Sequence, residues 1–115
     1  MNVLDKLPRK VINDVDCYAS YISDYMSHFN FEYKLFLFGS ISKFNYTDDS
    51  DIDLLLLINR DFESIRDCKK FKYALLYDCP NLDRELDLKV YSMNHFYSTD
   101  NFFENSIKSD LVRVR

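Results

Sequence analysis

The chain contains one glycine, Gly39, and Ser40 follows it at once. The ten residues ISKFNYTDDS then lead to Asp51-Ile52-Asp53-Leu54, and a further acid, Asp87, lies in the alternating stretch RELDLKVY at 84–91. Glycine there lets the backbone leave tightly and a ligand approach closely, while Ser40 and the amides after it offer donors to phosphate. Asp51 and Asp53, two residues apart on one strand, put hard oxygen ligands side by side, as magnesium needs when it also takes oxygens from a triphosphate. Asp87, from a neighbouring strand, would complete a two-metal site, one ion activating an acceptor hydroxyl and the other steadying a pyrophosphate leaving group. Asp-x-Asp alone is a weak signal in a chain with fifteen aspartates, since Asp14/Asp16 and Asp49/Asp51 repeat it. What discriminates is the order: strand, Gly-Ser, polar turn, Asp-x-Asp strand, third acid. Glu85 shares the polar face of the last strand and is the weaker claimant to the third position. Lys43, inside the turn, is a candidate phosphate contact, and Lys89, beside Asp87, a candidate counter-charge. His28 and His95 have no partner spacing for metal or acid–base work and read as surface or interface residues.

These residues need a scaffold, and the hydrophobic pattern supplies one. From Pro8 to Phe29 the apolar residues Val11, Val15, Tyr18, Ile22, Tyr25 and Phe29 recur at spacings of three and four, which predicts an amphipathic helix. Tyr33 to Phe38 is a short, nearly continuous apolar run and reads as a buried strand ending at Gly39. DIDLLLL at 51–57 is a second strand, with Asp51, Asp53, Leu55 and Leu57 on one face. Residues 61–79 place Ile65, Cys68, Phe71, Leu75 and Cys79 on one helical side, with Asp61 as N-cap and Pro80 as terminator. Residues 84–91 form a third strand, with Leu86, Leu88 and Val90 on one side and Glu85, Asp87, Lys89 and Tyr91 on the other. A short helix over 100–109 follows, capped by Thr99 or Asp100 with Phe103 over Ile107, before a terminal LVRV. The predicted architecture is a two-layer α+β (α/β) domain, a small mixed sheet with helices packed on it, and residues 1–115 form one unit.

Composition narrows the setting. A chain of 115 residues with 47% apolar and 17% aromatic content folds around one modest core and leaves no room for a second catalytic domain. The net charge of −4 gives no global positive field for a polyphosphate backbone, so direct nucleic-acid binding is not expected. Cys17, Cys68 and Cys79 are odd in number, lack metal-ligand spacing and follow an N-terminal segment without a signal-peptide core. They read as reduced thiols of a cytoplasmic protein, and the apolar run Leu54–Ile58 is far too short to span a bilayer. Nineteen Phe and Tyr exceed what so small a core hides, which predicts aromatic residues facing a partner chain.

The stretch GSISKFNYTDDSDIDLLLLI followed by RELDLKVY resembles the signature of the nucleotidyltransferase superfamily. More specifically the chain is similar to the minimal nucleotidyltransferases, the MNT proteins, from its first helix to the ending NFFENSIKSDLVRV. The resemblance implies the nucleotidyltransferase fold, ATP and magnesium as cofactors, Gly39 and Ser40 as the phosphate-binding pair, Asp51 and Asp53 as metal ligands, and Asp87 as the third carboxylate. It also implies a partner. Many MNT proteins act as antitoxins that transfer AMP from ATP to a tyrosine of a HEPN-type ribonuclease toxin, and with no acceptor-holding region in this chain the acceptor would belong to another protein. The alternative is a binding module that masks the toxin by contact and keeps only a vestigial nucleotide site. The chain departs from the common Gly-Ser-x-Ala-x-Gly pattern: Ser42 stands at the Ala and Phe44 at the second Gly. Phe44 lacks glycine's backbone freedom, which predicts an altered loop.

Overall fold

In the computed structural model the described residues are 3–98, 108 and 110–115. After a short 3-10 turn at Val3–Lys6, the elements are α1 (Arg9–Met26), β1 (Tyr33–Phe38), α2 (Gly39–Ser42), β2 (Ile52–Ile58), α3 (Ile65–Leu76), β3 (Leu86–Ser92), α4 (Met93–Ser98) and β4 (Val112–Arg113). The strands make one sheet in the order β3-β2-β1-β4. β1 runs antiparallel to β2 and β4, whereas β2 and β3 are parallel. A parallel pair needs a crossover between its strands, and α3 supplies it. The mixed sheet with packed helices is the α+β arrangement expected.

Side chains alternate across the strands, so the sheet has two distinct faces. Leu35, Leu37, Ile52, Leu54, Leu56, Ile58, Leu88 and Val90 face one way and close with Val11, Val15, Tyr18, Ile22 and Met26 of α1 into the main core. Leu55, Leu57 and Phe38 face the other way and meet Phe96 of α4 in a smaller cluster flanked by Phe36 and Tyr91. Asp53 and Asp87 stand on the strands of this second face, by the same alternation.

Several boundaries differ from expectation. The first helix begins after Pro8, which is its N-cap, and ends at Met26 with Ser27 as C-cap, so Phe29 packs from beyond the helix. The helix expected from Asp61 starts at Ile65 instead, because the Ser64 side chain accepts the N–H of Asp67 at 3.2 Å and caps it. Asp61 is bound elsewhere, accepting from Asn94 Nδ2 at 3.3 Å. Ile65 is 78% exposed rather than part of the buried face. Helical side chains lean toward the N-terminus, so a first-turn residue projects past the helix start and off the sheet. Two elements were not anticipated. Ser92, the last residue of β3, accepts the N–H of His95 at 3.1 Å and turns the chain into α4, and Val112–Arg113 of the terminal LVRV adds to the edge of β1 opposite Leu37 and Phe36. The helix expected over 100–109 falls, Lys108 apart, outside the described residues. Among the described residues no helix is long and apolar enough to cross a membrane.

Candidate functional site

The sheet ends in a tight turn at the position of the one glycine. Gly39 follows Phe38 of β1 at φ 78, a left-handed backbone that side-chain-bearing residues adopt only under strain. A Cβ at Gly39 would lie 2.9 Å from Cγ of Asp53 and would overlap its Oδ2. Glycine is therefore required twice, for its conformation and for the close approach of the turn to the carboxylate. Directly after it comes α2, a single turn in which Ser42, buried, donates its hydroxyl to the Gly39 carbonyl at 2.9 Å.

That turn closes in a Schellman arrangement. The N–H of Asn45 reaches the Ser40 carbonyl at 2.8 Å and the N–H of Phe44 reaches Ile41 at 3.1 Å, with Phe44 as the left-handed residue at φ 57. Phe44 thus adopts the left-handed backbone that glycine ordinarily supplies at such a helix end and bears the strain. Two helix-ending hydrogen bonds hold it there. Its ring is 47% exposed.

Asp53 and Asp87 lie directly opposite one another in the parallel register of β2 and β3. Burial, the charges of Asp87 and Asp51, and a hydrogen bond shared with the Asp87 carboxyl push the Asp53 carboxyl up to about 6, against the partial relief of Lys89. Such crowding of carboxylates is the electrostatic condition that a bound cation relieves. Asp51 is exposed in the chain just before β2. Lys89 Nζ stands 3.3 Å from Asp87 Oδ1, the counter-charge position expected for it. Glu85 is exposed ahead of β3 and contributes its carbonyl, which accepts the N–H of Ile52 at 2.8 Å. Lys43 is paired with Asp110 at 3.2 Å.

Among the described residues no three His, Cys, Asp or Glu side chains are gathered as a ready-made metal cage. Magnesium does not ask for one, because it keeps waters and substrate phosphate oxygens and takes only one or two carboxylates from the protein. Asp53 and Asp87, with Asp51 at the edge, fit that requirement.

The sequence reading missed Arg84. It is only 8% exposed, its Nη1 donates to the carbonyls of Thr47 at 3.0 Å and Ser50 at 2.8 Å, and its guanidinium lies over the Tyr46 ring at 5.6 Å. Tyr18 of α1 in turn donates its hydroxyl to the Arg84 carbonyl. Arg84 thus ties the turn between Gly39-Ser40 and Asp51-Asp53 to the start of β3, and is a positioning residue for both ends of the site. An arginine just before an alternating strand carries no sequence signal of burial, since the default for that residue is a solvated surface.

The chain has relatives at the level of the fold. A crystal structure from Sulfolobus solfataricus, provisionally assigned as a nucleotidyltransferase, superposes with a TM-score of 0.62 at 18% identity, over 89% of this chain and 79% of that one. At that identity the likeness speaks for the fold. Among curated protein sequences none matches. The nucleotidyltransferase domain family matches residues 20–113, a span that contains the Gly39 turn, Asp51, Asp53 and Asp87. With most of its length so matched, this chain belongs to the nucleotidyltransferase domain family.

Proposed function

We propose that the protein is a magnesium-dependent adenylyltransferase antitoxin, which transfers AMP from ATP to a tyrosine hydroxyl of a HEPN-type ribonuclease toxin and so neutralises it. The observation that carries this reading is the convergence of Gly39, Asp53 and Asp87: the one glycine is pressed against the carboxylate that faces the third acid across the sheet. A turn for phosphates and a crowded pair of carboxylates are thereby joined in one place, the arrangement that nucleotidyl transfer asks for.

In this mechanism Gly39 and Ser40 hold the phosphates and Lys43, leaving Asp110, contacts them from the turn. The acceptor oxygen attacks the α-phosphorus in line. An O–P bond to the acceptor forms, the bond to pyrophosphate breaks, and the hydroxyl proton passes to Asp87. A divalent ion held by Asp53 and Asp87, with Asp51, would supply neutralisation of the triphosphate charge when bound. Most of the rate enhancement comes from alignment and charge complementarity. Arg84 keeps the turn and the carboxylates in register.

Incubation with magnesium and ATP labelled at the α-phosphate, in extract containing a HEPN-type toxin encoded as its neighbour, tests the reading. Wild type labels a protein band, and Asp51→Asn/Asp53→Asn loses roughly 10²–10³-fold or more of that labelling. A second reading, a module that masks the toxin by contact, is favoured by Asp87 being engaged with Lys89 and by exposed Phe44, Tyr73, Tyr77 and Tyr97. If neither protein labels anything while both still bind and neutralise the neighbour, masking replaces transfer.

A further inference from the structure

A concavity lies between α3 and the edge strand β3. It is a cleft of about 410 Å³, within the size range of ligand sites, and one of its lining residues, Lys89, is the ion-pair partner of Asp87. Lys89 and Tyr91 line it, and they follow Asp87 on the same face of β3, each step of two residues advancing about 7 Å. Lys69 and Lys72 of α3 line the opposite side, with His95 stacked on Tyr91 at 6.0 Å between ring centres. Phe62, Cys68 and Val90 are apolar residues of its lining, with Ile65 at its exposed rim.

The charge of this cleft opposes that of the chain. None of its eleven lining residues is an Asp or Glu, although acids outnumber bases nineteen to fifteen in the sequence. α3 carries Arg66, Lys69, Lys70 and Lys72 against one acid, Asp67. Among the described residues neither Lys69 nor Lys72 is in an ion pair, and Lys72 lies over the ring of Tyr73 at 5.8 Å. The ammonium groups of Lys69 and Lys72 beside apolar lining residues, with Lys89 held on Asp87, form a site for a ligand that brings carboxylates and some apolar surface.

We propose that this cleft is the acceptor subsite, which binds an acidic segment of the partner protein next to its acceptor hydroxyl and so sets which protein is modified. The inference rests on the transferase reading for the word acceptor, but the binding itself does not. The cleft is short and partly lined by apolar side chains, so a short protein segment that brings apolar groups with its carboxylates fits better than an RNA strand. The carboxylates of that segment meet Lys69 and Lys72, its apolar side chains meet Ile65 and Tyr91, and its hydroxyl lies past Lys89 toward Asp87.

Two measurements on the full chain test it. The first is fluorescence anisotropy with a fluorescein-labelled peptide of glutamate and tyrosine. Wild type binds it, Asp51→Asn/Asp53→Asn binds it equally or better, and Lys69→Glu/Lys72→Glu binds it about tenfold more weakly at low salt, a difference that shrinks as salt rises. The second is the labelling assay, in which Lys69→Glu/Lys72→Glu raises KM for the acceptor protein while KM for magnesium-ATP stays. Failure of wild type to bind the peptide, displacement of the peptide by an oligonucleotide at lower concentration than by an unlabelled copy, or a rise in KM for magnesium-ATP alone would overturn the proposal. Peptide binding without labelling in any preparation would instead keep the acidic-segment site and remove the transferase reading.

Discussion

The two faces of the sheet are built from the same strands to different ends. On one face α1 and α3 cover Leu35, Leu37, Leu54, Leu56 and Leu88 so completely that these side chains are at or near zero exposure. On the other, among the described residues, Phe38, Leu55, Leu57 and Phe96 form a smaller buried cluster, and the ends of β2 and β3 nearest Gly39 carry Asp53 and Asp87 in place of further apolar residues. The first face maximises burial. The second gives up burial at one end to hold like charges together. Stability and site chemistry are thus separated by the two-residue alternation of the strand, and substitutions at Asp53 and Leu54, one position apart, should have opposite consequences.

The largest effect is expected on the covered face. Leu54→Ala removes a fully buried side chain from the main core and should cost about 2–5 kcal/mol, measured by urea unfolding. Leu55→Ala, one residue on, opens the smaller cluster and should fall toward the lower end of that range. If the two cost the same, the second face is as tightly packed as the first and the contrast fails.

Next in size is Gly39→Ala. The left-handed backbone at φ 78 would be strained by roughly 1–2 kcal/mol, and the new methyl must displace the Asp53 carboxylate. The variant should lose stability and, more sharply, nucleotidyl transfer, because the displaced group is the one facing Asp87. Retained labelling in a folded Gly39→Ala variant would show that the turn and the carboxylates do not work as a unit.

Much of this separation was legible in the sequence. Leu86, Leu88 and Val90 against Asp87, Lys89 and Tyr91 is an alternation that fixes both faces of β3. The Gly39-Ser40 turn and Asp53 could be marked because glycine occurs once and its distance from Asp-x-Asp is unusual. What escaped was set by contacts distant in sequence. Arg84 is buried because carbonyls of Thr47 and Ser50, more than thirty residues away, fold over it. Val112–Arg113 is a strand because β1 has a free edge, and two residues carry no period of their own. Asp61 and Ser64 both stand where a cap is plausible, and the choice between them fell to Asn94 and Asp67.

A smaller effect of opposite sign is expected at Phe44. Its φ of 57 stores strain that glycine would release, while glycine would also loosen the unfolded chain. The balance should leave Phe44→Gly more stable by about 0.5–1 kcal/mol. Loss of stability would mean that the half-exposed ring makes contacts worth more than the strain.

An effect of similar size tests the second face directly, through pH. Asp53 titrates at about 6 in the folded chain against 3.8 when unperturbed, so the folded state holds this proton more tightly than the unfolded state does. With a raised carboxyl the sign is the reverse of the usual aspartate. Below about 3.8 both states are protonated and the site costs nothing. Between that value and about 6 the protein loses stability as pH rises, and above 6 the whole penalty of the crowded charge is present. Because Asp53 is partly exposed, solvent screening reduces the penalty to the order of 1 kcal/mol. Urea unfolding in EDTA should therefore show Asp53→Asn gaining on wild type from pH 4 to pH 7, and the gain should diminish when magnesium is added to wild type. A difference that is flat with pH would mean that Asp53 is not crowded, and the contrast between a face built for burial and a face built for charge would then rest on packing alone.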